Sequence, residues 1–193
     1  MSANKVKFGL SNVHIAPITA VSNTGVPTYG TIISVPGAVN LSLSPSGDKN
    51  DFYADNIKYF TSQANQGYEG DLELALIPDE VRTQILGEVQ DANGAYFENA
   101  NAKLKNCAIG FQIDGDQKNR KFWYFNCSLS RPANNGSTKE NTITPQTDTL
   151  SITAMPRESD KEVRAFMEES ATNTAAYNAF FENVYVKVPE VSE

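Results

Sequence analysis

The sequence predicts a mainly β domain with two helices, and three observations carry that expectation. Period-two alternation of apolar and polar side chains outnumbers helical periodicity. Runs rich in β-branched and aromatic residues recur, and the segments between them hold turn chemistry. The chain of 193 residues has the length of one ordinary domain, and folding at this size buries roughly 70% of the surface the unfolded chain exposes. A single domain over residues 1–193 is expected.

Residues 9–15 open the series of strands. Val39, Leu41 and Leu43 alternate with Asn40, Ser42 and Ser44, which places three apolar side chains on one face and three small polar ones on the other. Residues 68–77 repeat the pattern more strongly, with Leu72, Leu74 and Leu76 expected inward and Glu69, Asp71 and Glu73 outward as an acidic ladder. Further strands are expected at 107–113, 121–129, 149–155 and 163–168. Residues 114–119 and the Asp91-Ala92-Asn93-Gly94 segment carry hairpin-turn chemistry, so antiparallel pairing follows.

Two helical patterns interrupt the strands. Pro78, Asp79 and Glu80 open a short one that spaces Val81, Ile85 and Leu86 on one face and stops at Gly87. The second, residues 174–184, starts at a Thr174 cap and sets Tyr177, Phe180, Phe181 and Val184 at i, i+3, i+4 and i+7. That stripe is expected to cover an open face of the sheets, so a C-terminal helix flanks them.

Residues 45–67 join the two clearest strands with more than twenty residues where a hairpin needs two to five. Phe52, Tyr53, Ile57, Tyr59 and Phe60 give this segment too much apolar surface for a solvated linker. Two readings stand: residues 56–61 form another strand packed on the domain's own core, or the segment is an arm that docks on a neighbouring subunit.

Composition excludes several classes. Forty per cent of residues are hydrophobic and 20% charged, as in a soluble globular protein. A formal charge of −7 argues against gripping phosphate backbones by counterion release. The first ten residues lack the apolar core of a signal peptide and no run of eighteen apolar residues occurs, so neither secretion nor membrane insertion is expected. The Asn-X-Ser patterns at Asn40, Asn126 and Asn135 are therefore set aside. Cys107 and Cys127 sit in apolar strands and read as buried free thiols, with a disulfide between neighbouring strands as the alternative.

Catalytic chemistry finds little support. His14, the one histidine, lies between Val13 and Ile15 and reads as structural or surface-exposed. No G-x-S-x-G, P-loop, G-x-G-x-x-G or H-E-x-x-H motif occurs. Asp114-Gly115-Asp116 is followed by Lys118, Arg120 and Lys121 instead of further oxygen ligands, so it reads as a turn, not a calcium loop. Glu69 and Glu73 share a strand face and could resemble a glycosidase carboxylate pair, but nothing apolar alternates with them on that side, so they read as a solvated acidic face. Lys118 to Lys121 precede Phe122 to Phe125 as in a single-strand binder, yet a strand buried on both faces explains these aromatics better. No enzyme, metal or cofactor is expected.

Three segments together carry a family resemblance. Phe8-Gly9-Leu10-Ser11-Asn12-Val13-His14 opens the chain. Gly67-Tyr68-Glu69-Gly70-Asp71-Leu72-Glu73-Leu74-Ala75-Leu76-Ile77-Pro78 runs into Leu86-Gly87, and Tyr124-Phe125-Asn126-Cys127-Ser128-Leu129-Ser130-Arg131-Pro132 follows. In order and spacing these resemble the major tail proteins, or tail tube subunits, of long non-contractile-tailed bacteriophages of Gram-positive bacteria. Residues 177–185 are similar to that family's closing helix.

The resemblance implies a β-sandwich, barrel-like tail tube fold flanked by a helix. It implies six copies per ring and stacked rings whose inner wall surrounds a channel for DNA. It also implies a structural virion protein located in the tail, assembled in the host cytoplasm, with tape measure and tail terminator or tip proteins as partners and no membrane. On that reading Asn40, Ser42, Ser44, Glu69, Asp71 and Glu73 face the lumen. Phe52, Tyr53, Ile57, Tyr59 and Phe60 form an arm between rings. Another class stays open: a carbohydrate-binding or virion-attached β-sandwich module in which Trp123 and tyrosines form a sugar platform. The inner tube of a contractile injection system shares the expected architecture.

Overall fold

The computed structural model describes residues 6, 8–115, 118–138 and 145–188. Its first seven strands are β1 (Leu10–Val21), β2 (Pro27–Tyr29), β3 (Ile33–Ser34), β4 (Ala38–Ser46), β5 (Lys49–Ala54), β6 (Ile57–Gln63) and β7 (Gly67–Leu74). Helix α1 (Asp79–Gln84) separates them from β8 (Val89–Gln90), β9 (Tyr96–Phe97), β10 (Cys107–Ile113), β11 (Lys121–Leu129), β12 (Asp148–Ala154) and β13 (Arg164–Met167). Helix α2 (Thr174–Asn178) then runs into a 3-10 turn, Ala179–Phe181.

The main sheet runs β2-β1-β10-β11-β12-β7-β4, with β3 added to β1 and β13 to β11. Its pairs are antiparallel, as the hairpin-turn chemistry predicts. Strand β11 is the pivot: Lys121 to Tyr124 pair with β13, whereas Cys127 to Leu129 pair with β12. In a flat sheet β1 and β7 would stand about 19 Å apart, four strand spacings of about 4.8 Å. Yet Val13 and Ile15 of β1 share one core cluster with Leu72 and Leu74 of β7. The sheet therefore curls over that cluster into a sandwich-like shape, but among the described residues β4 pairs on one side only and no barrel closes.

Local chemistry accounts for the elements. Helix α1 begins after Pro78 with Asp79 and Glu80 in its first turn, buries Val81, and ends before Gly87, whose φ of +77° suits glycine. Ile85 and Leu86, expected inside the helix, lie just beyond it and are fully buried. Gly70 in β7 lies so close to β4 that a Cβ there would sit 1.7 Å from the Ser42 carbonyl oxygen.

A second cluster lies on the opposite face of β1, β10 and β11, where Ala16, Ala108, Trp123 and Phe125 meet Phe180 and Val184. Trp123 is fully buried and its Nε1 donates to the Phe180 carbonyl at 2.8 Å. Strand β11 is thus buried on both faces, as its run of aromatics predicts. His14 stacks on Phe181 with ring centroids 4.7 Å apart, and its Nδ1 lies 2.7 Å from the Asn12 carbonyl oxygen.

Four expectations need correction. The C-terminal helix is one short turn plus a 3-10 turn, with Asn173, not Thr174, at the N-cap position and no side-chain cap hydrogen bond; the bulky Phe180 and Phe181 are drawn down onto Trp123 instead of continuing an α-helix. Leu76 is 68% exposed because β7 stops at Leu74 and the chain bends toward Pro78, which ends the alternation. Val39 is exposed because the β4–β7 register shifts between Ala38 and Asn40. Residues 56–61 do form a strand, but not one packed on the domain's core: every residue of β6 is exposed.

Candidate functional site

The outward face of β4, β7 and β12 is a polar grid built by register. Cross-strand partners in an antiparallel sheet share a face, and the pairing sets Asn40, Glu73 and Thr149 in one row. Ser42, Asp71 and Ser151 form the next row, and Ser44, Glu69 and Thr153 the third. All six residues singled out from the two sequence patterns lie here together. The β12 residues Thr149, Ser151 and Thr153 complete the grid. Their signal was the alternation with Leu150, Ile152 and Ala154, which are buried.

The grid is anchored from beneath: Leu72, Leu74, Leu150 and Ile152 are at most 2% exposed, directly behind it. Its carboxylates accept hydrogen bonds from neighbouring hydroxyls: Ser151 Oγ to Asp71 at 2.7 Å, Thr147 Oγ1 to Glu73 at 2.7 Å, and Ser46 Oγ to Glu69 at 3.1 Å. Glu69 and Asp71 are exposed and Glu73 half-buried. None of the nine grid residues is a cation. Successive carboxylates on β7 stand two residues apart, about 7 Å, inside the ~8 Å screening length at physiological salt. Their fields overlap into one anionic strip.

Strands β5 and β6 pair into a hairpin that shares no sheet with the rest. Asp55 and Asn56, with φ of +51° and +61°, form the two-residue tip, the conformation of a type I′ turn. One face carries the cross-strand pairs Phe52–Phe60 and Ala54–Ile57. The other carries Asp51, bonded to Lys58 at 2.7 Å and Thr61 at 2.9 Å. Those contacts hold the Asp51 carboxyl below its ordinary pKa, the hydrogen bond from Lys58 first. Phe52, Tyr53, Ile57, Tyr59 and Phe60 are all exposed. Gly47 lets the chain leave β4, since a Cβ there would meet the Ala64 carbonyl oxygen at 1.8 Å.

Other candidate chemistry dissolves into the fold. Burial of Trp123 removes it from any sugar platform. Lys118 and Arg120 both bind Glu168, at 2.6 and 2.7 Å, and Lys121 lies under α2 with its Nζ on the Tyr177 carbonyl at 2.8 Å and 4.1 Å from the Tyr177 ring centre. No cationic groove forms from that cluster. Cys107 and Cys127 face each other across β10 and β11 as free thiols. Burial pushes Cys107 up to about 12 and Cys127 well above its ordinary value. Residue 116 of the Asp-Gly-Asp turn lies outside the described residues. Among those described, no cluster of three or more His, Cys, Asp or Glu is placed to hold a metal ion.

Among solved structures, the chain is similar to one described as a cryo-EM structure of the anti-feeding prophage (AFP) baseplate, 6-fold symmetrised. It is 11% identical, with a TM-score of 0.41, covering 87% of this chain and 98% of that chain. No curated protein matches the chain. A family model described as phage tail tube protein matches residues 41–188.

Proposed function

From the premise that the chain belongs to the phage tail tube protein family, we propose that its copies close into rings, six to a ring, which stack into the tube of a long non-contractile tail. A structural protein of the phage tail is what family membership establishes; ring number, channel and cargo are our reading.

The observation that carries the reading is the nine-residue polar grid backed by core leucines and isoleucines. A wall for a moving DNA duplex needs a rigid back and a face that offers no cation to phosphate and no base-reading side chain. The grid meets both requirements. A phosphate 8 Å from a wall carboxylate feels about 0.5 kcal/mol of repulsion in water, cut by one screening length to about 0.2 kcal/mol. Each encounter is weak, but repeated on every copy of every ring it keeps the duplex off the wall. Adjacent copies join through the free margin of β4, which ring closure protects from uncontrolled pairing. The β5–β6 hairpin reaches from one ring to the next. Tape measure and terminator or tip proteins meet the tube inside and at its ends, and subunits assemble in the host cytoplasm before joining the virion.

The test is E69K/E73K. Tubes of the variant should form and pass DNA more slowly, with the defect reduced at high salt; normal passage through variant tubes would contradict the lumen assignment. A carbohydrate-binding module loses its main support with the burial of Trp123.

A further inference from the structure

The exposed hairpin and an open groove elsewhere on the same chain have matching chemistry. We propose that the groove along β4 receives the β5–β6 hairpin of a second copy, with Asp55 of the incoming tip paired to Arg164. The proposal rests on the assembly reading above and names the surface at the far end of the contact.

The groove has a volume of about 530 Å³ and lies between β4 and the ends of β10 and β11. Leu41, Leu43, Phe111, Ile113 and Phe122 make it apolar, and among the described residues Arg164 is the one charged side chain lining it. Cavities of roughly 300–1,000 Å³ accept groups the size of a few aromatic side chains. The Phe52–Phe60 pair and its neighbour Ile57 are such a set, presented together on one hairpin face.

Charge fixes the choice of occupant and its orientation. Arg164 donates to the Tyr124 hydroxyl at 3.3 Å and lies 5.0 Å from the Tyr68 ring centre, and it forms no salt bridge among the described residues. On the hairpin, Asp51 neutralises Lys58, which leaves Asp55 as the charge at the tip. The β8–β9 hairpin, with exposed Val89 and Phe97, has no cation between residues 88 and 98 to receive that tip, and its Glu88 and Glu98 are themselves paired to Arg82 and Arg131. Hairpin and groove are different surfaces, so the contact is head-to-tail and propagates from copy to copy instead of ending in a closed pair.

The experiment places the photo-crosslinker p-benzoylphenylalanine at Phe60 of the full chain. This protein is mixed with isotopically heavy wild-type chain, concentrated until particles form, irradiated, and read by mass spectrometry. Heavy–light links to residues 38–46, 107–113 or 121–129 are expected; links to residues 88–98, or only within one copy, would overturn the groove. In parallel, D55R and R164E should each lower the assembled fraction about fivefold, the upper end for an exposed ion pair, and D55R/R164E should recover it. Losses in both singles without recovery overturn the pairing. Thermal melts confirm that each variant is folded. F52S/F60S separates the two levels: if it assembles like wild type, or wild type never assembles, the assembly reading itself fails. If it abolishes assembly while crosslinks fall elsewhere, only the groove does.

Discussion

Replacing residues 51–60 by a Gly-Asn-Gly turn should leave the sandwich folded and stop tube formation. The side chains removed include Phe52, Tyr53, Ile57, Tyr59 and Phe60, which are 60%, 64%, 62%, 74% and 61% exposed. Full burial of such a side chain is worth about 1.5–3 kcal/mol, and only about a third of each is covered. Much of that cover comes from the hairpin's own cross-strand partners, which leave together. Shortening the connection between β4 and β7 from 20 residues to about 13 returns about 0.4 kcal/mol of loop-closure entropy. The net effect on the sandwich is within about 1 kcal/mol, a shift of the melting midpoint within about 2–4 °C at this chain length. Calorimetry reads the midpoint, and sedimentation with negative-stain microscopy reads assembly. A fall of more than about 10 °C, roughly 3–4 kcal/mol, would show that the hairpin belongs to the subunit's core. Undiminished tube formation would show that it makes no contact between copies.

Three further outcomes follow from named contacts. Gly70→Ala would set a Cβ 1.7 Å from the Ser42 carbonyl, forcing β4 off β7 at a cost of about 2–4 kcal/mol and about 5–15 °C in the melting midpoint; an unchanged melt would refute that close approach. Glu168 is held below its ordinary pKa by hydrogen bonds from Lys118 and then Arg120. The unfolded chain therefore binds this proton first as pH falls, so the contribution is present above the ordinary glutamate pKa and lost as pH drops through the folded value. Glu168→Gln should flatten that part of the stability curve, and an identical pH profile would count against the ion pairs. Cys107 and Cys127 should resist an aromatic disulfide reagent at pH 8 in the folded protein and react as two thiols after denaturation; reaction in the native state would contradict their burial.

Much of this was legible in the chain because alternation reports a half-buried strand directly. Leu72 and Leu74 against Glu69 and Asp71 told inside from outside without any neighbour. Strands 107–113 and 121–129 fell where their apolar runs place them, and β11's aromatics announced burial on both faces. The failures lie where tertiary contacts override local pattern. Leu76 continues the alternation in sequence, but the strand has already bent away. Val39 sits at a register shift that only its partner strand reveals. The helix pattern at 174–184 kept its buried stripe yet lost most of its α-helical length to the packing of Phe180 and Phe181 around Trp123. The two-residue strands β3, β8 and β9 are too short for any period to show. The grid's third column was visible as alternation, but its place beside β7 depends on a pairing between residues more than seventy positions apart. For the hairpin, sequence showed excess apolar surface, and only the coordinates showed that the domain's own core leaves it uncovered.

The most direct measurement is a cryo-EM map of tubes assembled from this chain. The carboxylates of Glu69, Asp71 and Glu73 should line the central channel, with Leu72 and Leu74 one layer behind them in the subunit core. A map in which that face points to outside solvent, or lies buried between copies, would contradict the account.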